Sequence, residues 1–150
     1  MGPKKLLILP DLSKENGGPT TFFFFLKRNL RYFNIEVCHV FDPEISHCLV
    51  INGTRKIHLL IFLWILKKPI TVRLGSIYRS NIHEKSGLLY SLNFLPRYLV
   101  VNLSIFLASH IIFQSYTVKN QWLSNPIIKR KKFSIIYNPS LEQNLINIEF

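Results

Sequence analysis

The chain is short of acid, of cysteine and of glycine-rich loops. Eight Asp and Glu stand against nineteen Lys and Arg in 150 residues. The acids are Asp11, Asp42 and six Glu, with no paired spacing, which argues against glycoside hydrolysis by two carboxylates. The glycines form no G-x-G-x-x-G fingerprint and no P-loop, and no serine sits in a Gly-x-Ser-x-Gly elbow. The two cysteines lie in Cys38-His39 and His47-Cys48, which together offer four metal-ligand side chains. Neighbours on a strand point to opposite faces, so each pair presents one ligand to a given side. Their spacing fits no common zinc pattern. The cysteines read as buried thiols in a reducing compartment, and neither a metal nor a cofactor is expected.

Membrane-spanning runs are also lacking. Ile57 to Leu66 is too short to cross a bilayer. Leu88 to Phe113 is long enough, but Asn93, Pro96, Arg97, Asn102 and His110 interrupt it, so it reads as a buried helix and strand. Lys4-Lys5 precede an apolar run that Pro10 stops, which is no secretory signal. Leu6 stands where myristoylation wants Ser or Thr. The chain is therefore expected to be cytoplasmic, with Asn52-Gly53-Thr54 and Asn102-Leu103-Ser104 as accidental sequons.

What is present is a core and a basic surface. Hydrophobic residues make up 48% and charged residues 18%, which excludes a disordered chain. The length suits one domain. A net charge of +11 attracts anions of every kind without choosing among them. The dense run Lys129, Arg130, Lys131, Lys132 reads as a solvated turn before a strand, with a membrane surface as its functional alternative.

Patterning gives alternating elements. Strands are expected at Lys4–Leu9, Ile35–Phe41, His47–Ile51, Ile70–Leu74, His110–Gln114 and Phe133–Tyr137. Helices are expected after Pro19, with Phe22, Leu26, Leu30 and Phe33 on one face, and at Ile57–Leu66, Gly87–Ser109 and Thr117–Leu123. Phe22 to Phe25 read as helix core. Such alternation predicts a three-layer α/β/α fold with a mostly parallel sheet of about six strands. Ligands bind outside the carboxyl ends of such strands, which selects the loops after Leu9, Leu74, Gln114 and Tyr137.

Four segments follow in order. They are Gly17-Gly18-Pro19-Thr20-Thr21-Phe22, Val72-Arg73-Leu74-Gly75-Ser76-Ile77-Tyr78-Arg79, Ala108-Ser109-His110-Ile111-Ile112-Phe113-Gln114-Ser115 and Ile135-Ile136-Tyr137-Asn138-Pro139. The series resembles the N-terminal domain of family 4 glycosyltransferases, one Rossmann-like half of a GT-B fold. Those enzymes often show a GG loop, an R-L-D-G-like segment, an A-D-x-x-I-x-Q-S segment and an I-x-N-G/P strand end. Order and spacing carry the likeness; no single motif is specific. It implies an acceptor-side domain over 1–139, with 140–150 beginning a linker or tail. The resemblance places the substrate site at Gly17, Gly18, Thr20, Arg73, Gly75, Arg79, Gln114 and Ser115, with His83 a weaker candidate, and identifies no catalytic residue.

The chemistry of these residues agrees with such a site. A Gly-Gly turn at a helix N-terminus suits a phosphate, and an Arg at a strand's carboxyl end can hold one. The alternatives are an ordinary turn and a structural ion pair. Gln114 and Ser115 can meet sugar hydroxyls, although Ser115 equally suits a helix cap. Two positions depart from the pattern: Gly75 and Ser109 stand where relatives often carry Asp. Glu142 and Glu149, with six residues between them in the tail after Asn138, come close to E-x7-E spacing without matching it and read as chance.

The resemblance implies retaining transfer from a nucleotide sugar to a glycan or lipid-linked acceptor. The nucleotide sugar would bind weakly without a C-terminal donor domain, which a separate chain could supply. Peripheral contact at the inner face of a membrane fits the charge, and no nucleic-acid partner is expected. The competing readings are a non-catalytic remnant acting as a membrane-surface module, and a basic nucleic-acid binder of similar fold.

Overall fold

The computed structural model describes residues 4–12, 18–76 and 88–137. Their elements are β1 (Lys4–Leu9), α1 (Gly18–Leu30), β2 (Ile35–Cys38), β3 (Ile45–Ile51), α2 (Ile57–Ile65), β4 (Ile70–Leu74), α3 (Leu88–Leu107), β5 (His110–Phe113), α4 (Tyr116–Trp122) and β6 (Lys132–Ile135). Short 3-10 turns occupy Arg31–Phe33 and Ile128–Arg130. The six strands form one sheet in the order β2-β1-β3-β4-β5-β6, and every pairing is parallel. This is a Rossmann-like α/β fold.

Alternation along each strand sorts the core into two layers. Leu7, Leu9, Cys48, Val50, Ile70, Val72, Leu74, Ile111 and Phe113 pack with Leu60 and Leu63 of α2, Val101 and Ile105 of α3, and Val118 and Trp122 of α4. Ile8, Leu49 and Ile51 face the other way, against Phe22, Phe23 and Leu26 of α1. All five residues of β4 are buried, as a strand covered on both faces requires. Phe23 is fully buried, which contributes about 2–3 kcal/mol relative to an exposed ring.

Local chemistry sets the ends of the helices. Ser115 Oγ accepts the Val118 N–H at 3.1 Å and caps α4. Lys67 takes a left-handed φ of 56° after α2. Lys131 Nζ donates to the Phe106 and Ala108 carbonyls at 2.7 and 2.6 Å, satisfying groups that α3 leaves open at its C-terminus.

Several limits differ from the sequence expectation. β2 stops at Cys38, after the pair Leu7↔Cys38, and the His39 ring meets the next β1 carbonyl, that of Ile8, with Nδ1 at 3.2 Å. Phe41 leaves the sheet to meet the Phe62 ring, 5.1 Å between centroids. β3 starts two residues early, at Ile45, which pairs with Lys5 across a register shift. The basic run includes a 3-10 turn held by the buried Ile128 and by Asn125 Oδ1, which accepts the Ile127 N–H at 3.0 Å. Phe24 is exposed, because four consecutive Phe cannot share one helix face. Cys48 is buried and Cys38 half-buried. Burial pushes the Cys48 thiol up to about 12.

Candidate functional site at the carboxyl ends of the strands

The strand order turns at β1. From β1 the chain moves one way to β2, and from β3 onward it moves the other way. A parallel sheet wound in two directions opens a crevice at that switch, between the carboxyl ends of β1 and β3. A polar network lies beside it, at the carboxyl ends of β3, β4 and β5.

Arg73, near the end of β4, is the largest fully buried side chain. Its Nη2 donates to Gln114 Oε1 at 3.0 Å, just past β5. Its guanidinium carbon lies 3.8 Å from the centroid of the Phe22 ring, so α1 covers it from above. Burial pushes its pKa down to about 10, which leaves it charged at neutral pH. The guanidinium therefore acts from beneath the surface. It fixes the Gln114 amide and places a positive charge under the first turns of α1.

Gly75 is held on both sides. Its N–H donates to Asn52 Oδ1 at 2.6 Å, and its carbonyl accepts the Trp122 indole N–H at 3.0 Å. A Cβ at this position would stand 3.0 Å from Asn52 Oδ1 and 3.3 Å from Gln114 Nε2. Asn52 reaches this place from a left-handed turn, φ 56°, after β3, and its N–H donates to the Arg73 carbonyl at 2.9 Å. An Asp side chain at this position would need the space these two amides fill.

The first turn of α1 closes the site. It contains no acidic residue, so its N–H groups and the helix dipole favour an anion. Thr20 is buried, and its Oγ1 has no hydrogen-bond partner among the described residues. Such a buried group ordinarily finds a partner. At the rim, His39 Nδ1 lies 3.2 Å from the Ile8 carbonyl and Nε2 lies 3.9 Å from Asp11 Oδ1.

The sequence-predicted residues thus divide. Gly18, Thr20, Arg73, Gly75, Gln114 and Ser115 all lie at or beside the carboxyl edge. Arg73, Gly75 and Gln114 share one network, while Ser115 caps a helix. Gly17, Arg79, His83, Asn138, Pro139, Glu142 and Glu149 lie outside the described residues. Compared with protein-family models, with curated proteins and with solved structures, the chain matches none significantly.

The sequence did not mark Asn52, Trp122 or Phe22, which it read as helix core, as residues of the site. Asn52-Gly53 follows the expected third strand, but nothing local told that the Asn52 amide would reach Gly75. The Cys and His pairs separate: Cys38 Sγ donates to the Leu6 carbonyl at 3.5 Å, His47 Nε2 meets Thr71 Oγ1 at 2.8 Å, and Cys48 enters the core. Among the described residues no group of three His, Cys, Asp or Glu could hold a metal ion.

Proposed function

We propose that this chain supplies the acceptor-side half of a GT-B glycosyltransferase, transferring a sugar from a nucleotide donor to a glycan or lipid-linked acceptor. One observation carries the reading. Two of the segments that resemble family 4 enzymes, 41 residues apart at Arg73 and Gln114, are joined by a hydrogen bond at the carboxyl edge beneath the N-terminus of α1. Anion-favouring N–H groups, a buried cation and an amide side chain there suit phosphate and sugar hydroxyls. The donor-binding half of the cleft would come from a second domain, in the same polypeptide or another.

A second reading, a remnant that binds without catalysing, is favoured by Gly75. The space where relatives often carry Asp is taken by Asn52 and Gln114.

Transfer of label from a panel of nucleotide sugars to lipid-linked and free glycan acceptors tests both. The chain is assayed alone and with a family 4 donor domain added. Product that requires both components supports the enzyme reading. Acceptor binding without product supports the remnant, and neither binding nor product overturns the assignment.

A further inference from the structure

The outer surface of the helical layer is not a surface for water. α2 is apolar at every position except His58, yet only Leu60 and Leu63 are fully buried. Ile61, Phe62, Trp64 and Ile65 stand exposed, Trp64 at 56% and Ile65 at 63%. A helix apolar all round belongs in a core or against lipid. α3 packs beside α2 and exposes Leu99, Leu103 and Phe106, which share one stripe at i, i+4, i+7. The two exposed faces adjoin and make one apolar patch.

Cations border this patch. Lys67 and Lys68 follow α2, and Arg55 and Lys56 precede it. Lys131 reaches across the end of α3, its Nζ 5.9 Å from the Phe106 ring centroid. Lys129 and Arg130 lie beside it in sequence. Asp42 and Glu44, which flank the Pro43 carbonyl that Lys68 holds, are both paired with Lys5 at 2.6 and 2.7 Å. The border therefore keeps a positive balance within a chain of net charge +11.

We propose that the outer face of α2 and α3 docks in the plane of an anionic lipid surface. Trp64, Ile65 and Phe106 enter the headgroup–acyl boundary, and the flanking lysines remain with the phosphates. Charge complementarity selects an anionic lipid surface: the border is cationic, and the exposed face of α2 that it encloses is aliphatic and aromatic except for His58. Among the described residues no helix is long and apolar enough to cross a membrane, so the contact is in-plane. The face lies on the opposite side of the sheet from α1 and leaves the carboxyl-end site open. This inference rests on the surface alone, not on glycosyl transfer.

Vesicle binding tests it with the whole chain. Co-sedimentation is measured with vesicles of phosphatidylcholine and of an equimolar phosphatidylcholine–phosphatidylglycerol mixture. The chain is expected on the anionic vesicles only. Trp64 and Trp122 are its two tryptophans, and Trp122 is buried, so quenching by brominated lipid should vanish in Trp64→Phe while binding persists. Lys67→Gln with Lys68→Gln should weaken binding about 25-fold, taking about fivefold per charge at the membrane surface. Trp64→Ser with Ile65→Ser should abolish binding and leave the circular-dichroism melt unchanged, since both side chains are exposed. The proposal is overturned if the chain ignores anionic vesicles, or if either the lysine or the serine double variant binds as well as the parent. It is equally overturned if the parent is a dimer that the serine variant dissociates while vesicles recruit neither, because a second copy then covers the face.

Discussion

Replacing Gly75 by Ala forces a methyl group into space that two amides occupy. The nearest atoms are Asn52 Oδ1 at 3.0 Å, Asn52 Nδ2 at 3.3 Å and Gln114 Nε2 at 3.3 Å. Neither amide is loose. Asn52 is held by the Gly75 N–H and Gln114 by Arg73. The backbone of Gly75 is not left-handed, so the cost is steric. Overpacking of this kind costs about 1–2 kcal/mol. For a chain of this length, that lowers Tm by roughly 2–4 °C per kcal/mol. Asn52→Gly removes the obstructing amide and tolerates the φ of 56°, at about 1 kcal/mol for the lost hydrogen bond. The double variant should then cost less than the sum of the singles, with a coupling of about 1 kcal/mol. Urea unfolding followed by far-ultraviolet circular dichroism measures all three. Additive losses, or a Gly75→Ala variant as stable as the parent, would refute the packing argument.

Two further outcomes follow from the same structure. Ser115→Ala should lower stability by about 1 kcal/mol through loss of the α4 cap, and should leave ligand affinity unchanged; calorimetry and a binding titration separate the two effects. His47 is held below its ordinary value of 6.5, first by burial and then by His110. A base depressed on folding binds fewer protons folded than unfolded, so stability should fall as pH drops below about 6.5. His47→Gln, which retains an amide able to reach Thr71 Oγ1, should flatten Tm against pH across that range; an unchanged slope would exclude His47 as the cause.

The legible parts of the fold were those decided by local pattern. β1 and β4 are apolar runs ended by Pro10 and Gly75, and their limits agree with the sequence. Pro19 marked the first turn of α1 through its missing N–H. The limits of β2 and β3 were not legible, because the partner strand decides them. β2 ends where the His39 ring takes the place of a strand partner at Ile8, and β3 extends to Ile45 because Lys5 pairs with it. The basic run hid a structural lysine. Lys131 turns onto the end of α3, and nothing in a row of four cations distinguishes it.

The candidate site follows the same division. Arg73 and Gln114 could be picked as polar side chains at strand ends. Asn52 and Trp122 could not, since they reach Gly75 from 23 and 47 residues away in sequence. Arg73 itself proved to be buried. Phe22 stacks over its guanidinium and Gln114 accepts from its Nη2, contacts that strand pattern alone does not reveal.

The proposed function requires the carboxyl edge of this sheet to bind phosphate and sugar together. Nitrogen-15 amide chemical-shift mapping of the chain, titrated with nucleotide sugars and then with acceptor glycan, tests it most directly. The account predicts that perturbed amides cluster at Gly18, Thr20 and Thr21 of α1, at Asn52, and at Gly75 and Gln114, and that Gln114→Ala weakens the response to acceptor. Perturbations confined to the amino ends of the strands, or none at saturating ligand, would contradict it.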